Sequence, residues 1–164
     1  MNKKLIAAIV LTSFIALPSA DAATLSAKQK SQLQYLIEEE KLARDVYNYL
    51  ATKVTTQKFN NIARSEQTHM DQIAALLTAY NVANPTTGKA AGQFKNKDLA
   101  ALYKKLIKDG STSTIAAFGA GVTIEKMDIS DLAKIRKIFT QQDELSTIDL
   151  LNQGSENHLA AFTR

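Results

Sequence analysis

The stretch of residues 65–69 places a glutamate and a histidine three positions apart within a row of apolar side chains. Glu66 and His69 would share one face of a helix, because side chains three residues apart are neighbours on a helix surface. The row continues on both sides, in steps of three and four, through Phe59, Ile62, Ile73, Leu76 and Tyr80. Such a row is typical of the buried stripe of a bundle helix. An isolated carboxylate and imidazole are costly to bury there, so the fold must supply partners for both.

The first 22 residues have the three parts of a secretory signal peptide. Two lysines form a basic start, residues 5–17 form a mostly apolar run, and an A-x-A pattern ends at Ala22. The run is too short for an ordinary membrane span. We therefore predict cleavage after Ala22, a mature domain of residues 23–164, and a secreted or periplasmic protein. If the segment is retained, it would be the only contact with a membrane.

Composition narrows the chemistry that is open to this chain. The sequence contains no cysteine, which excludes disulfides, thiolate nucleophiles and thiolate metal ligands. A metal ion would therefore be held by oxygen and imidazole ligands, which suit iron and manganese. The formal net charge of +4 is too small to indicate a nucleic-acid partner. The sequence does not indicate an oligomeric state.

Apolar periodicity predicts an all-α domain with four long helices and no strands. The first helix is expected from the Ser26 cap to about residue 50, with Gln29 completing a capping box. The second is expected at residues 59–80, after a cap at Thr55 or Thr56. The third is expected from residues 111–114 to about residue 139, and the fourth from a cap at Asp143 or Ser146 to residue 162. In the third of these four helices, Gly119 and Gly121 would allow a break or a bulge near residue 120.

The connection between the second and third long helices is the longest in the predicted domain. Residues 81–96 carry proline and glycine and are predicted to form a loop. Residues 98–108 predict a short helix that ends at a Gly110 cap. A long crossover of this kind joins two parallel helices of an otherwise antiparallel four-helix bundle.

Each long helix carries ligand-capable side chains on its apolar stripe. Glu40 lies on the stripe of the first helix, whereas its neighbours Glu38 and Glu39 fall beside it and are expected to be solvated. The predicted ligands on the four stripes are Glu40, Glu66, His69, Glu125, Asp128 and His158. Four carboxylates in one core repel each other unless cations neutralise them. We therefore predict two divalent metal ions per chain, iron or, as an alternative, manganese.

Each of these residues also has a simpler interpretation when it is considered alone. Glu40 would reach water if it lay at an end of the bundle. His158 would be a hydrogen-bonded core histidine, and Asp128 would cap a helix that restarts at that point. The convergence of six such residues on four stripes favours the metal site.

Three blocks of sequence resemble a known family. They are residues 38–47 (EEEKLARDVY), residues 124–132 (IEKMDISDL) and residues 154–162 (GSENHLAAF). Together they look like the bacterial and archaeal ferritin-like family catalogued as domain of unknown function 2202, which is related to the rubrerythrins. The resemblance covers nearly all of the mature chain. It implies a ferritin-like antiparallel four-helix bundle of the di-metal type, with Arg44 and Tyr47 supporting the ligands.

The sequence departs from the ferritin and rubrerythrin pattern at one important position. Ser155 stands where the Glu-x-x-His motif of the fourth helix would have its carboxylate, and Glu156 lies about 100° away from the stripe. The electron-transfer cysteines of rubrerythrins are also missing. Peroxidase activity of the rubrerythrin type is therefore not expected.

Two functions are compatible with these residues, and no catalytic residue beyond the ligands is predicted. The first is an exported di-metal oxidoreductase that acts as a ferroxidase or reacts with oxygen or peroxide. The second is a non-enzymatic metal-binding or structural bundle of the cell envelope. Hydrolysis by Ser155 and His158 is disfavoured, because the sequence offers no oxyanion donor and no orienting acid.

Overall fold

The computed structural model of the chain describes residues 24–164. The predicted signal peptide, residues 1–22, lies outside this range. Within the range the protein is helical and has no strand, as predicted. The helices are α1 (Ala27–Ala51), α2 (Lys58–Ala79), α3 (Lys97–Gly110), α4 (Thr114–Ile135) and α5 (Gln142–Phe162), with a 3₁₀ turn at Arg136–Ile138 between α4 and α5. No helix among these residues is long and apolar enough to cross a membrane.

The four long helices form a bundle in which α1 packs against α2 and α4, and α5 packs against the same two helices. The apolar side chains of the beginning of α1 share a cluster with those of the ends of α2 and α4 and the beginning of α5. The end of α1 shares a second cluster with the beginnings of α2 and α4 and the end of α5. Each helix is therefore antiparallel to both of its neighbours. The helices α2 and α4 are parallel, which requires the long crossover that contains α3.

Charged residues of α1 hold this crossover in place. The Glu38 carboxylate accepts hydrogen bonds from the backbone N–H groups of Lys95 and Asn96. Lys41 is paired with Asp45 and donates to the carbonyl of Ala90 at 2.9 Å. The expectation that Glu38 is solvated was wrong, because the crossover covers this face of α1 and its backbone satisfies the carboxylate.

Several predicted helix ends differ from the observed ones. The helix α4 runs through Gly119 and Gly121 without a break, and it ends at Ile135 rather than near residue 139. Gly121 has a packing role, because a Cβ there would lie 2.7 Å from the Phe162 ring. The glycine therefore allows α4 and α5 to approach closely.

The starts of α2, α3 and α5 also differ from prediction. The N-cap position of α2 is Gln57, whose side chain makes no capping bond. The α3 helix is slightly longer than predicted and begins after an Asn96 cap, and Gly110 is its last residue rather than its cap. The cap of α5 was placed wrongly at Asp143 or Ser146. The carboxylate of Glu144 instead accepts a hydrogen bond at 3.1 Å from the N–H of Gln141. The predicted capping box of α1 at Ser26 is confirmed.

Candidate metal centre

A layer of ionisable side chains lies between the two apolar clusters of the bundle. All six predicted ligands are in this layer, and none is more than 8% exposed: Glu40, Glu66, Glu125 and Asp128 at 0%, His69 at 6% and His158 at 8%. They come from α1, α2, α4 and α5, so all four long helices contribute. On each of these helices, apolar side chains of the two clusters lie on either side of the layer and hold it on the inward face.

The first group of ligand atoms joins α1 and α2. The Nδ1 atom of His69 lies 2.8 Å from Oε2 of Glu66 and 3.1 Å from Oε2 of Glu40. The three side chains offer ligand atoms that lie within 4.8 Å of one another. Two carboxylates and one imidazole at this spacing can hold a divalent cation.

The second group joins α2, α4 and α5. The Nδ1 atom of His158 lies 2.8 Å from Oε1 of Glu66 and 3.7 Å from Oε2 of Glu125. These three side chains also offer ligand atoms within 4.8 Å of one another. On its other edge, His158 Nε2 lies 3.0 Å from the Ser65 hydroxyl oxygen, which fixes the ring with Nδ1 facing the carboxylates.

Glu66 belongs to both groups and presents one carboxylate oxygen to each histidine. Neither of its oxygens has a partner that meets hydrogen-bond geometry, and the same is true of Oε1 of Glu40, Oε2 of Glu125 and Nδ1 of His158. Buried polar atoms in native proteins are almost always satisfied. These oxygen and nitrogen atoms lie close together without hydrogen bonds, and cations shared between them would satisfy them.

The protonation states of the two histidines depend on the carboxylates. Burial alone would lower the pKa of His69, but contact with Glu40 and Glu66 raises that pKa to about 10. Burial would also lower the pKa of His158, but Glu125 and Glu66 raise it to about 9. Without metal, both imidazoles therefore carry a proton at neutral pH and take the place of cations.

The carboxylates divide into one that stays ionised and two that resist ionisation. Burial raises the pKa of Glu40 to about 8 and that of Glu125 to about 7. Burial acts on Glu66 in the same direction, but contact with the two histidines outweighs it and lowers the pKa of Glu66 to about 2. Glu66 is thus the central anion of the layer.

Asp128 lies in the same layer but outside both groups of ligand atoms. Its carboxylate is fully buried, and neither oxygen has a hydrogen-bond partner. Burial, together with the charges of Glu39 and Glu40, raises the pKa of Asp128 well above its usual range. The structure does not bring Asp128 into contact with His158, so its predicted role as a ligand remains a prediction.

Comparison with known proteins gives the family of this chain. The family described as uncharacterized protein domain DUF2202 matches residues 29–164. The chain belongs to this family. The uncharacterized protein MJ0754 of Methanocaldococcus jannaschii is 44% identical over 140 residues, which are 85% of this chain and 76% of that protein. The crystal structure of hypothetical protein MJ0754 superposes with a TM-score of 0.83 at 42% identity, covering 90% of this chain and 82% of that one. The predicted resemblance to domain of unknown function 2202 is therefore confirmed.

Within this DUF2202 domain, Tyr47 and Arg44 were both expected to support the ligands, but only Tyr47 forms a hydrogen bond with one of them. The Tyr47 hydroxyl donates a 2.6 Å hydrogen bond to Oε1 of Glu125, so it orients one of the predicted ligands. Arg44 instead bonds Asp45 and Gln67 and makes no hydrogen bond or salt bridge with a predicted ligand. Its expected support of the site was therefore wrong.

The α5 helix contributes a histidine but no carboxylate to the centre. Ser155 is fully buried in the position predicted, and its hydroxyl donates to the carbonyl of Leu151 at 3.2 Å. Glu156 is exposed and bonds Asn152, as its place off the stripe predicted.

Two residues of the layer were missed by sequence reasoning. Glu39 was expected to be solvated, but it is fully buried, with neither carboxylate oxygen hydrogen-bonded. Gly154 lies against the His69 ring, and a Cβ at this position would be 2.4 Å from Nε2. The sequence signal for this close approach of α5 to α2 was a glycine inside a helix, one residue before Ser155, since such a glycine usually has a packing reason.

Proposed function

We propose that this protein binds two divalent metal ions, iron or iron together with manganese, in the middle of its bundle. Glu40, Glu66 and His69 would hold one ion, and Glu66, Glu125 and His158 would hold the other. The observation that carries the proposal is the position of Glu66, whose two oxygens each lie 2.8 Å from a different imidazole. A carboxylate placed in this way can bridge two cations.

The donor set supports this proposal on chemical grounds. The chain offers carboxylate oxygens and neutral imidazole nitrogens, which are the ligands that iron and manganese accept. Five of the buried ligand atoms have no hydrogen-bond partner. Two cations would neutralise the carboxylates and release the protons that the histidines otherwise carry.

The proposed activity is that of a ferroxidase or of an oxidoreductase that reacts with oxygen or peroxide. Bound iron would supply the redox chemistry, with Fe(II), oxygen or peroxide as substrate. The protein would supply the positions of the ligands. Tyr47 would orient Glu125 through its hydrogen bond, Ser65 would hold the His158 ring, and the two apolar clusters would exclude bulk water from the layer.

A second candidate is a non-enzymatic metal-binding or structural bundle that acts in the cell envelope. Two observations favour it. None of the proposed ligands is more than 8% exposed, which limits access for a substrate. The α5 helix also offers a serine where the ferritin-like pattern has a carboxylate, which leaves fewer anionic ligands for redox cycling.

Metal analysis and oxygen uptake distinguish these candidates. The full chain, purified without chelator and loaded with Fe(II) under argon, should contain about two iron ions per chain. On exposure to air it should consume oxygen with repeated additions of Fe(II) if it is an oxidoreductase. Tight metal binding without turnover would support the second candidate. No bound metal at micromolar Fe(II) or Mn(II) would contradict the proposed function.

We also propose that the protein is secreted or periplasmic, on the basis of the sequence of residues 1–22. Mass spectrometry of the exported protein should give a chain that begins at Ala23. An exported product that retains Met1 would contradict the predicted cleavage.

A further inference from the structure

A second set of acidic residues lies beside the candidate metal centre, on α1 and α4. Glu39 is next to the proposed ligand Glu40 in the sequence, and it is fully buried without a hydrogen-bond partner for either oxygen. Asp128 shares both properties. Buried carboxylates without a hydrogen-bond donor need a proton or a cation.

The packing of α1 against α4 brings these carboxylates to facing sides of the two helices. The Tyr35 hydroxyl of α1 donates a hydrogen bond to Asp131 of α4. Glu39 lies one turn after Tyr35 on α1, and Asp128 lies one turn before Asp131 on α4. Because the two helices are antiparallel, Glu39 and Asp128 both lie one turn further into the bundle than the contact of Tyr35 with Asp131.

Asp131 lies at the outer end of this series, one helical turn after Asp128 on α4. Its Oδ2 atom accepts a hydrogen bond of 3.2 Å from the Tyr35 hydroxyl, and its Oδ1 atom accepts one of 2.6 Å from Lys134. The Asp131 side chain is 22% exposed. It lines a surface cavity of about 220 Å³ together with Gln32, Tyr35, Lys134 and Ile135.

We propose that Asp131, Glu39 and Asp128 form an acidic passage through which divalent cations reach the metal centre from this cavity. The proposal rests on the proposed function, since it assumes that the centre binds metal. Carboxylates that follow one another from a partly exposed to a fully buried position would replace the water shell of a cation in steps. The fully buried Glu39 and Asp128 have free oxygens for a cation at these steps. At the surface cavity, where the passage would begin, Lys134 and the Tyr35 hydroxyl compete with the cation for Asp131.

Stopped-flow uptake of Co²⁺ by the metal-free full chain tests the passage, because visible absorption of the bound ion reports binding without any turnover. Asp131→Asn removes a charge at the mouth and should slow uptake by about fivefold, since charged clefts raise the association rates of their counter-ions. Lys134→Gln removes the competing cation and should accelerate uptake by a similar factor. Both variants should bind as much Co²⁺ at equilibrium as the wild type.

Lys105 and Asp109 provide the matched controls. They form an exposed salt bridge on α3, of the same kind as the pair of Asp131 and Lys134. Asp109→Asn and Lys105→Gln make the same changes in net charge and should alter the uptake rate by less than about twofold. The buried variant Glu39→Gln keeps the shape of the side chain and should also slow uptake, with circular dichroism confirming the fold.

These measurements distinguish failure of the passage from failure of the proposed function. Equal uptake rates in the wild type, Asp131→Asn and Lys134→Gln, with normal amounts of bound Co²⁺, would overturn the passage and leave the metal centre standing. In that case Glu39 and Asp128 would only share a proton, and cations would arrive elsewhere. If the wild-type chain bound no Co²⁺, Fe(II) or Mn(II), the proposed function would fail and the passage with it.

Discussion

Glu66 lies between two histidines that reach it from different helices: its Oε2 atom is 2.8 Å from Nδ1 of His69, and its Oε1 atom is 2.8 Å from Nδ1 of His158. The rings of these histidines are stacked, with centroids 5.6 Å apart. One carboxylate thus takes part in both groups of ligand atoms. Substitutions in the two groups should therefore have unequal effects.

Glu66→Gln should abolish the binding of both metal ions, whereas His69→Ala should remove only one. The bridging carboxylate is common to the two proposed sites, while the imidazole serves a single site. Metal content by mass spectrometry should fall from about two per chain to near zero and near one, respectively. The metal-dependent rise in stability should disappear in Glu66→Gln, where the wild type gains about 2.7 kcal/mol per site at a hundredfold excess over Kd.

Glu144 provides the control for the loss of a buried carboxylate. It is fully buried, but it serves the backbone at the start of α5. Glu144→Gln should lower the melting temperature of the protein and leave the bound metal unchanged. Equal metal content in Glu66→Gln and Glu144→Gln would count against a bridging role for Glu66.

The metal-free protein should lose stability as pH rises from about 5 to 10. Folding raises the pKa of Glu40 from 4.5 to about 8 and that of His69 from 6.5 to about 10. Groups with raised values contribute stability that is complete below the unfolded pKa and is lost as pH rises through the folded pKa. Glu66 has a lowered pKa of about 2, so its contribution is lost only as pH falls below 4.5.

Metal binding should have the opposite pH dependence. The ligands must release these protons before they bind a cation, so affinity rises over the same range. The increase in melting temperature caused by Mn²⁺ should therefore be larger at pH 8.5 than at pH 6. A shift that is constant or shrinks with rising pH would contradict the assigned ligands. The Glu66→Gln variant should show no shift at either pH.

Gly154→Ala should weaken the group of ligands that contains His69. A Cβ at this position would lie 2.4 Å from Nε2 of the ring, so the imidazole or the helix must move. We expect about one metal ion per chain instead of two. Gly119→Ala is the matched control on α4, because a Cβ there meets no atom within 4 Å. It should raise stability by up to about 1 kcal/mol and leave metal binding intact.

Asp128→Asn distinguishes two roles of this buried carboxylate. If Asp128 is a ligand that replaces the carboxylate missing at Ser155, the variant should bind about one metal ion, and the added change Ser155→Glu should restore the second. If Asp128 belongs only to the acidic passage, the variant should bind two ions but take them up more slowly. Unchanged stoichiometry, affinity and rate would exclude both roles.

The bundle could be predicted from the sequence because its apolar rows have helical periodicity and its longest connection lies between the second and third long helices. The positions of Glu40, Glu66 and Glu125 in one layer followed from the same rows. Glu38 and Glu39 could not be placed in this way. Periodicity assumes that a helix buries one face, but the crossover covers a second face of α1 at Glu38, through residues more than 50 positions away. Glu39 lies on the side of α1 where Tyr35 contacts Asp131 of α4, and this packing also depends on residues distant in the sequence.

The details of the centre were also beyond the sequence. The contact of Gly154 with His69 depends on the exact spacing of α2 and α5. The start of α5 was misplaced because the chain uses Glu144 to satisfy backbone N–H groups where an N-cap side chain was expected.

The central claim is that Glu66 bridges two metal ions, and anomalous diffraction tests it most directly. Crystals of the protein loaded with Mn²⁺ or, under argon, with Fe(II) should be measured at the absorption edge of the metal. We predict two anomalous peaks per chain, one between Glu66 and His69 and the other between Glu66 and His158. A single peak, or none with the ligand side chains in the positions described here, would contradict the claim.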